Sequence, residues 1–319
     1  MEKPKVRISV RNLVEFILRS GDLDNSRGSS GDKEAMLKGG RLHRKIQRSM
    51  KGNYQAEVSL KRESEYEDVI IQVEGRADGI FTEDGEFWID EIKGTYGNLQ
   101  AMEVPVPVHR AQAMCYGWIY GEKEGLSQIG IQMTYSHLDT EDTRRFREIF
   151  SMEELKNWYQ KLLDDYHKWI SCSLSWKKER NASMKDLQFP FPYREGQREI
   201  VSGVYHTVSS KKTLFVQAPT GVGKTMSAIF PSVRAIGEGK GETLFYLTAK
   251  TITGTVAWEA FHTLRENGLK FKVTAITAKE KLCFLDSPEC TPEKCPYAKG
   301  HFDRVNDAVY ELWTTEEVY

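Results

Sequence analysis

The sequence predicts an α/β protein in two parts, a mixed sheet with flanking helices followed by a parallel-sheet region. Three observations carry this. Residues 54–60, 67–75 and 86–94 are short runs rich in β-branched and aromatic residues, bounded by turn formers, the pattern of strands. Helical spacing of apolar residues marks 9–19, 35–50, 109–120 and 152–170 on either side of them. Beyond residue 193, strand-like and helical segments alternate, the rhythm of parallel βαβ units.

Composition bounds the reading. The chain has 319 residues, or about two domains at ~150 residues each. Apolar residues are 39% and charged residues 29%, with a net charge of −1. These values predict globular folding, and any nucleic-acid groove would have to be a local basic feature. No apolar run reaches the ~18 residues of a membrane span, and the first residues show no signal-peptide core. The expected compartment is cytoplasmic.

The elements follow in order. The helix at 9–19 is succeeded by the polar stretch "SGDLDNSRGSSGDKEA", expected to be a mobile loop. A second helix, 35–50, leads into the three strand runs, a helix at 109–120, a strand at 127–137 and a closing helix at 152–170. The first domain is assigned to residues 1–180 and a polar, proline-containing linker to 181–192. Residues 193–282 then read as helix 194–208, strand 213–218, helix 224–238, strand 243–248, helix 250–265 and strand 271–277.

"LFVQAPTGVGKTMSAIF" has the form of a phosphate loop, an apolar strand, a turn of small residues, then Gly223-Lys224-Thr225 opening a helix. Backbone N–H groups of such a turn cradle phosphate oxygens, the lysine reaches the β- and γ-phosphates, and the hydroxyl of Thr225 joins the Mg²⁺ shell. Thr220, Gly221, Gly223, Lys224 and Thr225 are therefore the candidate ATP site. Ala218 stands where the pattern has its first glycine, and Pro231 predicts a kink in the following helix. Upstream, in "FPYREGQREI", two readings stay open: the two-faced amide of Gln197 can read an adenine edge, or the stretch is the start of an amphipathic helix. The loop "APTGVGKT", the upstream "YREGQ" and the downstream "LFYLTAKT" together resemble superfamily 2 helicases of the XPD/DinG type, over roughly residues 190–319. The resemblance implies adenine contact by Gln197, nucleic-acid backbone contacts by Thr248 and Lys250, and 5′→3′ movement. The chain lacks a D-E-A-H-like tetrad after the loop, so the expectation is a truncated motor that binds nucleotide weakly and does not hydrolyse it.

Cys283, Cys290 and Cys295 have six and four residues between them. Thiolates suit Fe–S clusters or zinc. Two readings stay open: a Cys₃His zinc site completed by His301, or a [4Fe-4S] cluster completed by a cysteine beyond residue 319. The helicase resemblance implies the cluster, because its cysteine domain is inserted at this point, and residues 283–319 are assigned as its start. Cys115 and Cys172 read as buried small hydrophobes.

The stretch "GRADGIFTEDGEFWIDEIKG", residues 75–94, predicts a hairpin about Asp84-Gly85. It sets Asp78 near Glu91, and strand alternation puts Glu91 and Lys93 on one face with Asp90 on the other. Two carboxylates and an amine suit a divalent metal and an activated water. The alternative is a cross-strand salt bridge on a solvated face. The order His43, Asp78, Glu91-x-Lys93, Gln112-x₃-Tyr116 resembles PD-(D/E)XK nucleases of the RecB type, over roughly residues 1–170. That resemblance implies Mg²⁺ or Mn²⁺ held by His43, Asp78 and Glu91, catalysis by Asp78, Glu91 and Lys93, and DNA contacts by Gln112 and Tyr116. With only Cys115 and Cys172 in that domain, no cluster is expected there. The expected function is the N-terminal part of a DNA helicase–nuclease acting on DNA with single-stranded character. Two alternatives remain: a DNA-binding module with a degenerate nuclease site, and a helicase fragment behind an inert scaffold.

Overall fold

The computed structural model describes residues 3–25, 33–50, 52–249, 251–285 and 289–315. Contacts divide the chain into two compact units, Met1–Ser171 with Lys279–Glu311, and Cys172–Ala278 with Leu312–Tyr319. Of the predicted mobile loop, residues 20–35, residues 26–32 lie outside the described residues; residues 20–25 are described, and a helix already opens at Lys33.

The first unit opens with strand β1 (Lys5–Ser9) and helix α1 (Val10–Ile17), capped by the Ser9 hydroxyl, which accepts from Asn12 N–H at 3.1 Å. Helix α2 (Lys33–Ser49) follows, then strands β2 (Gln55–Glu65), β3 (Ile70–Glu83) and β4 (Glu86–Thr95). Helix α3 (Pro107–Glu124) starts with proline at its first position, where the missing N–H costs nothing, and ends at Gly125 with φ 67°. Strands β5 (Gln128–His137) and β6 (Thr143–Ser151) and helix α4 (Met152–Lys185) complete the run.

The six strands form one mixed sheet in the order β1-β3-β4-β5-β6, with β2 also paired to β3. β1–β3 and β4–β5 are parallel, and β2–β3, β3–β4 and β5–β6 are antiparallel. The α/β class and mixed sheet agree with the sequence, and the β3–β4 hairpin turns at Asp84-Gly85, both with positive φ. Strands β1 and β6 are additions to the sequence reading. β1 is only five residues long and gains its identity by pairing with Ile70–Glu74.

The second unit holds helices α5 (Gln197–Ser209), α6 (Lys224–Gly237) and α7 (Thr251–Glu266). Ile229, Val233 and Ile236 of α6 pack with Ala257, Ala260, Phe261 and Leu264 of α7 and with Met184 and Leu187. Two expectations are corrected here. The proposed linker, 181–192, is helical through Lys185, because Met184 is buried in this core. The segments expected as strands, 213–218, 243–248 and 271–277, join no ladder among the described residues. Apolar composition alone does not make a strand, since its N–H and C=O groups need a paired neighbour. Phe215, Leu247 and Ile276 are accordingly exposed.

Helices α8 (Lys279–Leu282) and α9 (His301–Thr314) come last. The cysteine-rich segment was expected with the second domain, yet residues 279–311 cluster with the first unit. The turn after α1 holds it there. Leu23 N–H donates to Ala298 C=O and Asn25 N–H to Cys290 C=O, each at 2.9 Å, while Phe302 N–H donates to Gly21 C=O at 2.9 Å.

Candidate active site

Asp78 sits where the regular pairing of β3 fails on both sides. The β3–β4 ladder ends at Gly79–Asp90, and the β2–β3 pairing skips Asp78 opposite Glu57, a non-glycine residue at φ 57°. Side chains take over the freed groups. Asp78 Oδ2 accepts from Ile92 N–H at 2.7 Å, and Gln47 Nε2 donates to Asp78 C=O at 2.9 Å. Gln47 lies one helical turn after His43 on α2. Leu42 and Ile46 of the same helix pack on Ile92, which fixes α2 against the strand end. His43 Nδ1 is thereby 3.6 Å from Asp78 Oδ1, close but too long for a hydrogen bond.

Glu91 and Lys93 share the opposite side of β4 from Asp90, as alternation requires. Lys93 Nζ donates to Glu91 Oε1 at 2.7 Å and to Gln112 Oε1 at 3.1 Å. Glu91 is 1% exposed and its other oxygen, Oε2, is buried with no partner. Burial, then the nearby charge of Asp78, pushes its carboxyl up to about 8, against the opposing pull of Lys93. Tyr116 lies one turn after Gln112, with its hydroxyl beside the Gln112 side chain and the Arg76 backbone. Burial raises the Tyr116 phenol above its usual range. Gly75 makes room for it, since a Cβ there would stand 2.6 Å from the Tyr116 oxygen. The structure thus brings His43, Asp78, Glu91, Lys93, Gln112 and Tyr116 to one end of the sheet.

Asp90 has a different setting. It is fully buried, accepting from Thr134 Oγ1 at 2.6 Å, Gln132 Nε2 at 3.0 Å and the Tyr54 hydroxyl at 3.1 Å. Burial raises its pKa while these three bonds oppose the rise. It knits β4 to β5 inside the sheet.

Among the described residues, no three His, Cys, Asp or Glu side chains stand ready-grouped for a metal ion. At this site the ammonium of Lys93 holds one Glu91 oxygen. The donor set nevertheless fits a hard divalent cation, because a buried carboxylate oxygen without a partner is costly and oxygen donors suit Mg²⁺ or Mn²⁺. The charge of Asp78 acts on Glu91, and His43 stands 3.6 Å from Asp78.

In the second unit, Gly221 and Gly223 adopt φ 84° and 81°, and α6 begins at Lys224. Lys224 Nζ folds over the loop and donates to Ala218 C=O at 3.0 Å and Pro219 C=O at 2.7 Å. Thr225 Oγ1 is 3.2 Å from the Tyr246 hydroxyl. Gln197 is buried against the loop, and a Cβ on Gly223 would fall 2.5 Å from its Nε2. Gln197 Oε1 accepts from Arg194 N–H at 3.0 Å, and the Arg194 guanidinium bonds Gly221 C=O. Thr220 is exposed at the tip of this turn. The loop fits a polyphosphate: two left-handed glycines leave its backbone bare, and one ammonium spans it. Pro231 lies inside α6, which continues past it to Gly237.

Of the remaining sequence candidates, Thr248 is exposed, and Lys250 lies outside the described residues. The three cysteines are free thiols; Cys295 is buried, while Cys283 and Cys290 are partly exposed. They are not gathered into a metal group among the described residues. The Lys279 ammonium instead bonds Cys290, which raises the lysine's pKa. His301 begins α9, its N–H donating to Ala298 C=O at 3.2 Å. The donor set does not fit a closed zinc or iron–sulfur site as it stands. Cys115 is fully buried, as a small hydrophobe, and its thiol is raised above its usual range by burial.

Sequence reasoning passed over Gln47, Tyr54 and His109. Gln47 and Tyr54 act through partners 31 and 36 residues away, a separation no local pattern encodes. His109 lies one turn before Gln112 and bonds Tyr135.

The fold and site therefore define an α/β protein with a polar cluster at one end of a mixed sheet. Comparison adds a limited likeness to helicases. A stretch of 47 residues, 14% of this chain, is 40% identical to a Methanocaldococcus jannaschii protein named "Probable ATP-dependent helicase MJ0942". That stretch spans 7% of the relative's own length. A solved structure titled "Crystal structure of SSO0001" aligns with 51% of this chain and 78% of its own, at 20% identity and a TM-score of 0.34, a likeness too loose to carry an argument. No family model matches the chain. Among the described residues, no helix is long and apolar enough to cross a membrane.

Proposed function

We propose that the first unit is a metal-dependent DNA nuclease of the PD-(D/E)XK kind, and that residues 193–282 begin an ATP-driven DNA helicase motor. The observation that carries the nuclease reading is Glu91, a fully buried carboxylate with one oxygen on Lys93 and the other on nothing. An isolated buried oxygen costs stability unless something occupies it.

His43, Asp78 and Glu91 would hold Mg²⁺ or Mn²⁺. When bound, the ion supplies charge to a phosphate oxygen and makes a water more acidic. The residues do the rest. Asp78 is fixed by Ile92 N–H, so its free oxygen, Oδ1, faces His43. Lys93 is steered by Gln112 and Glu91, which keeps its ammonium directed into the site for the attacking water or the phosphate charge. Tyr116 and Gln112 line the α3 wall, where a DNA strand would lie.

The motor reading rests on the loop geometry around Lys224 and on the helicase likeness of the 47-residue stretch. Lys224 would exchange its two carbonyl partners for phosphate oxygens, and Thr225 would turn to Mg²⁺. For the cysteines, a [4Fe-4S] cluster or zinc would require Cys283, Cys290 and Cys295 to be drawn together with a fourth donor.

A second reading has its own support. The closed Lys93–Glu91 pair is what an inert, DNA-binding scaffold would keep. One experiment separates the two. The purified chain is incubated with end-labelled single-stranded DNA and Mn²⁺ or Mg²⁺, beside Glu91→Ala and Lys93→Ala. Metal-dependent cleavage lost in both variants supports the nuclease; DNA binding with no cleavage in any sample leaves the scaffold.

A further inference from the structure

We propose that His109 is a positioning residue of this site, whose Nε2–H donates a hydrogen bond to a phosphate oxygen of the DNA strand held beside Lys93. The inference rests on the nuclease reading and names a contact for its substrate.

The tautomer follows from the hydrogen bonds. The Tyr135 hydroxyl is 1% exposed at the residue level and accepts from Val106 N–H at 2.9 Å. A buried phenol also needs an acceptor for its own proton. The acceptor within reach among the described residues is His109 Nδ1, at 3.1 Å. Nδ1 is therefore the acceptor, and the imidazole proton sits on Nε2. No hydrogen-bond partner for Nε2 exists among the described residues, and it is not among the buried unpaired atoms, so it reaches solvent.

The location follows from register and helix spacing. Tyr135 on β5 is the direct neighbour of Lys93 on β4. His109 lies one turn before Gln112, which bonds Lys93. The charge of Lys93, after burial, is a cause of the depressed pKa of His109, pushed down to about 4, with Arg11 acting in the same sense and Glu15 against it. The ring is thus a neutral donor at neutral pH. A neutral N–H beside a lysine suits a phosphate oxygen: it donates to the anion and brings no second charge next to the ammonium. It also tolerates every base, since the phosphate carries no sequence.

The test uses the full chain and an end-labelled single-stranded oligodeoxynucleotide with Mn²⁺. His109→Ala is expected to raise KM about tenfold, the scale of one lost hydrogen bond to an anion, with kcat changed far less. His109→Gln, whose Nε2 can reach the same place as a donor, restores most of the KM. The slope of binding against salt, measured in the Lys93→Ala background, stays unchanged in His109→Ala because a neutral donor releases no counterion. An unchanged KM in a folded His109→Ala overturns the proposal, as does a loss that glutamine fails to restore. If the unsubstituted chain does not cleave with either metal, the nuclease reading fails first. Cleavage that is indifferent to residue 109 sinks this inference alone.

Discussion

Lys93 holds one oxygen of Glu91 at 2.7 Å and leaves the other, Oε2, buried without a partner. A side chain so placed is half-satisfied, and buried polar groups in that state cost stability.

Adding Mn²⁺ to the metal-free chain should raise its thermal midpoint, since a ligand that binds only the folded state stabilises it by about 2.7 kcal/mol at a hundredfold excess over Kd. Glu91→Gln should abolish that rise while keeping the side chain's shape. A thermal shift of equal size in both proteins would place the metal elsewhere.

Without metal, stability should fall as pH rises from about 4.5 towards 8. The folded state keeps Glu91 protonated up to about 8, whereas the unfolded chain releases that proton near the ordinary carboxylate value of 4.5. Between those values the folded state binds the extra proton, so the slope of unfolding free energy against pH is negative. Urea titrations across this window should show a slope that is shallower in Glu91→Gln.

Asp90→Ala should cost about 3 kcal/mol, because Thr134, Gln132 and Tyr54 all lose a buried acceptor. Chemical denaturation measures this directly. A loss within about 0.5 kcal/mol, the range of an ordinary surface change, would mean that water replaces the carboxylate.

Lys224→Ala should remove binding of a fluorescent ATP analogue and leave metal-dependent cleavage untouched. Gly223→Ala should weaken the same binding, since alanine at φ 81° carries about 1–2 kcal/mol of strain and its Cβ would meet Gln197 Nε2 at 2.5 Å. Normal nucleotide affinity in Lys224→Ala would remove the phosphate-loop assignment.

What the sequence determined by itself was local. The alternation of β3 and β4 and the positive-φ turn between them depend on neighbours two residues apart, so the Asp78–Glu91–Lys93 grouping was legible before any coordinates. The left-handed glycines Gly221 and Gly223 and the start of α6 at Lys224 were legible for the same reason. Tertiary structure decided the rest. "TRRFREIFS" has no assignment in the sequence reading and becomes a strand by pairing with β5, and "TLFVQA" reads as a strand yet has no ladder among the described residues. Long-range partners alone reveal that Asp78 is freed from both ladders, that Gln47 and Ile92 then hold it, and that the Tyr135 hydroxyl lies 3.1 Å from His109 Nδ1. Side-chain period is written in adjacent residues; a hydrogen-bond partner tens of residues away is chosen only when the backbone has closed.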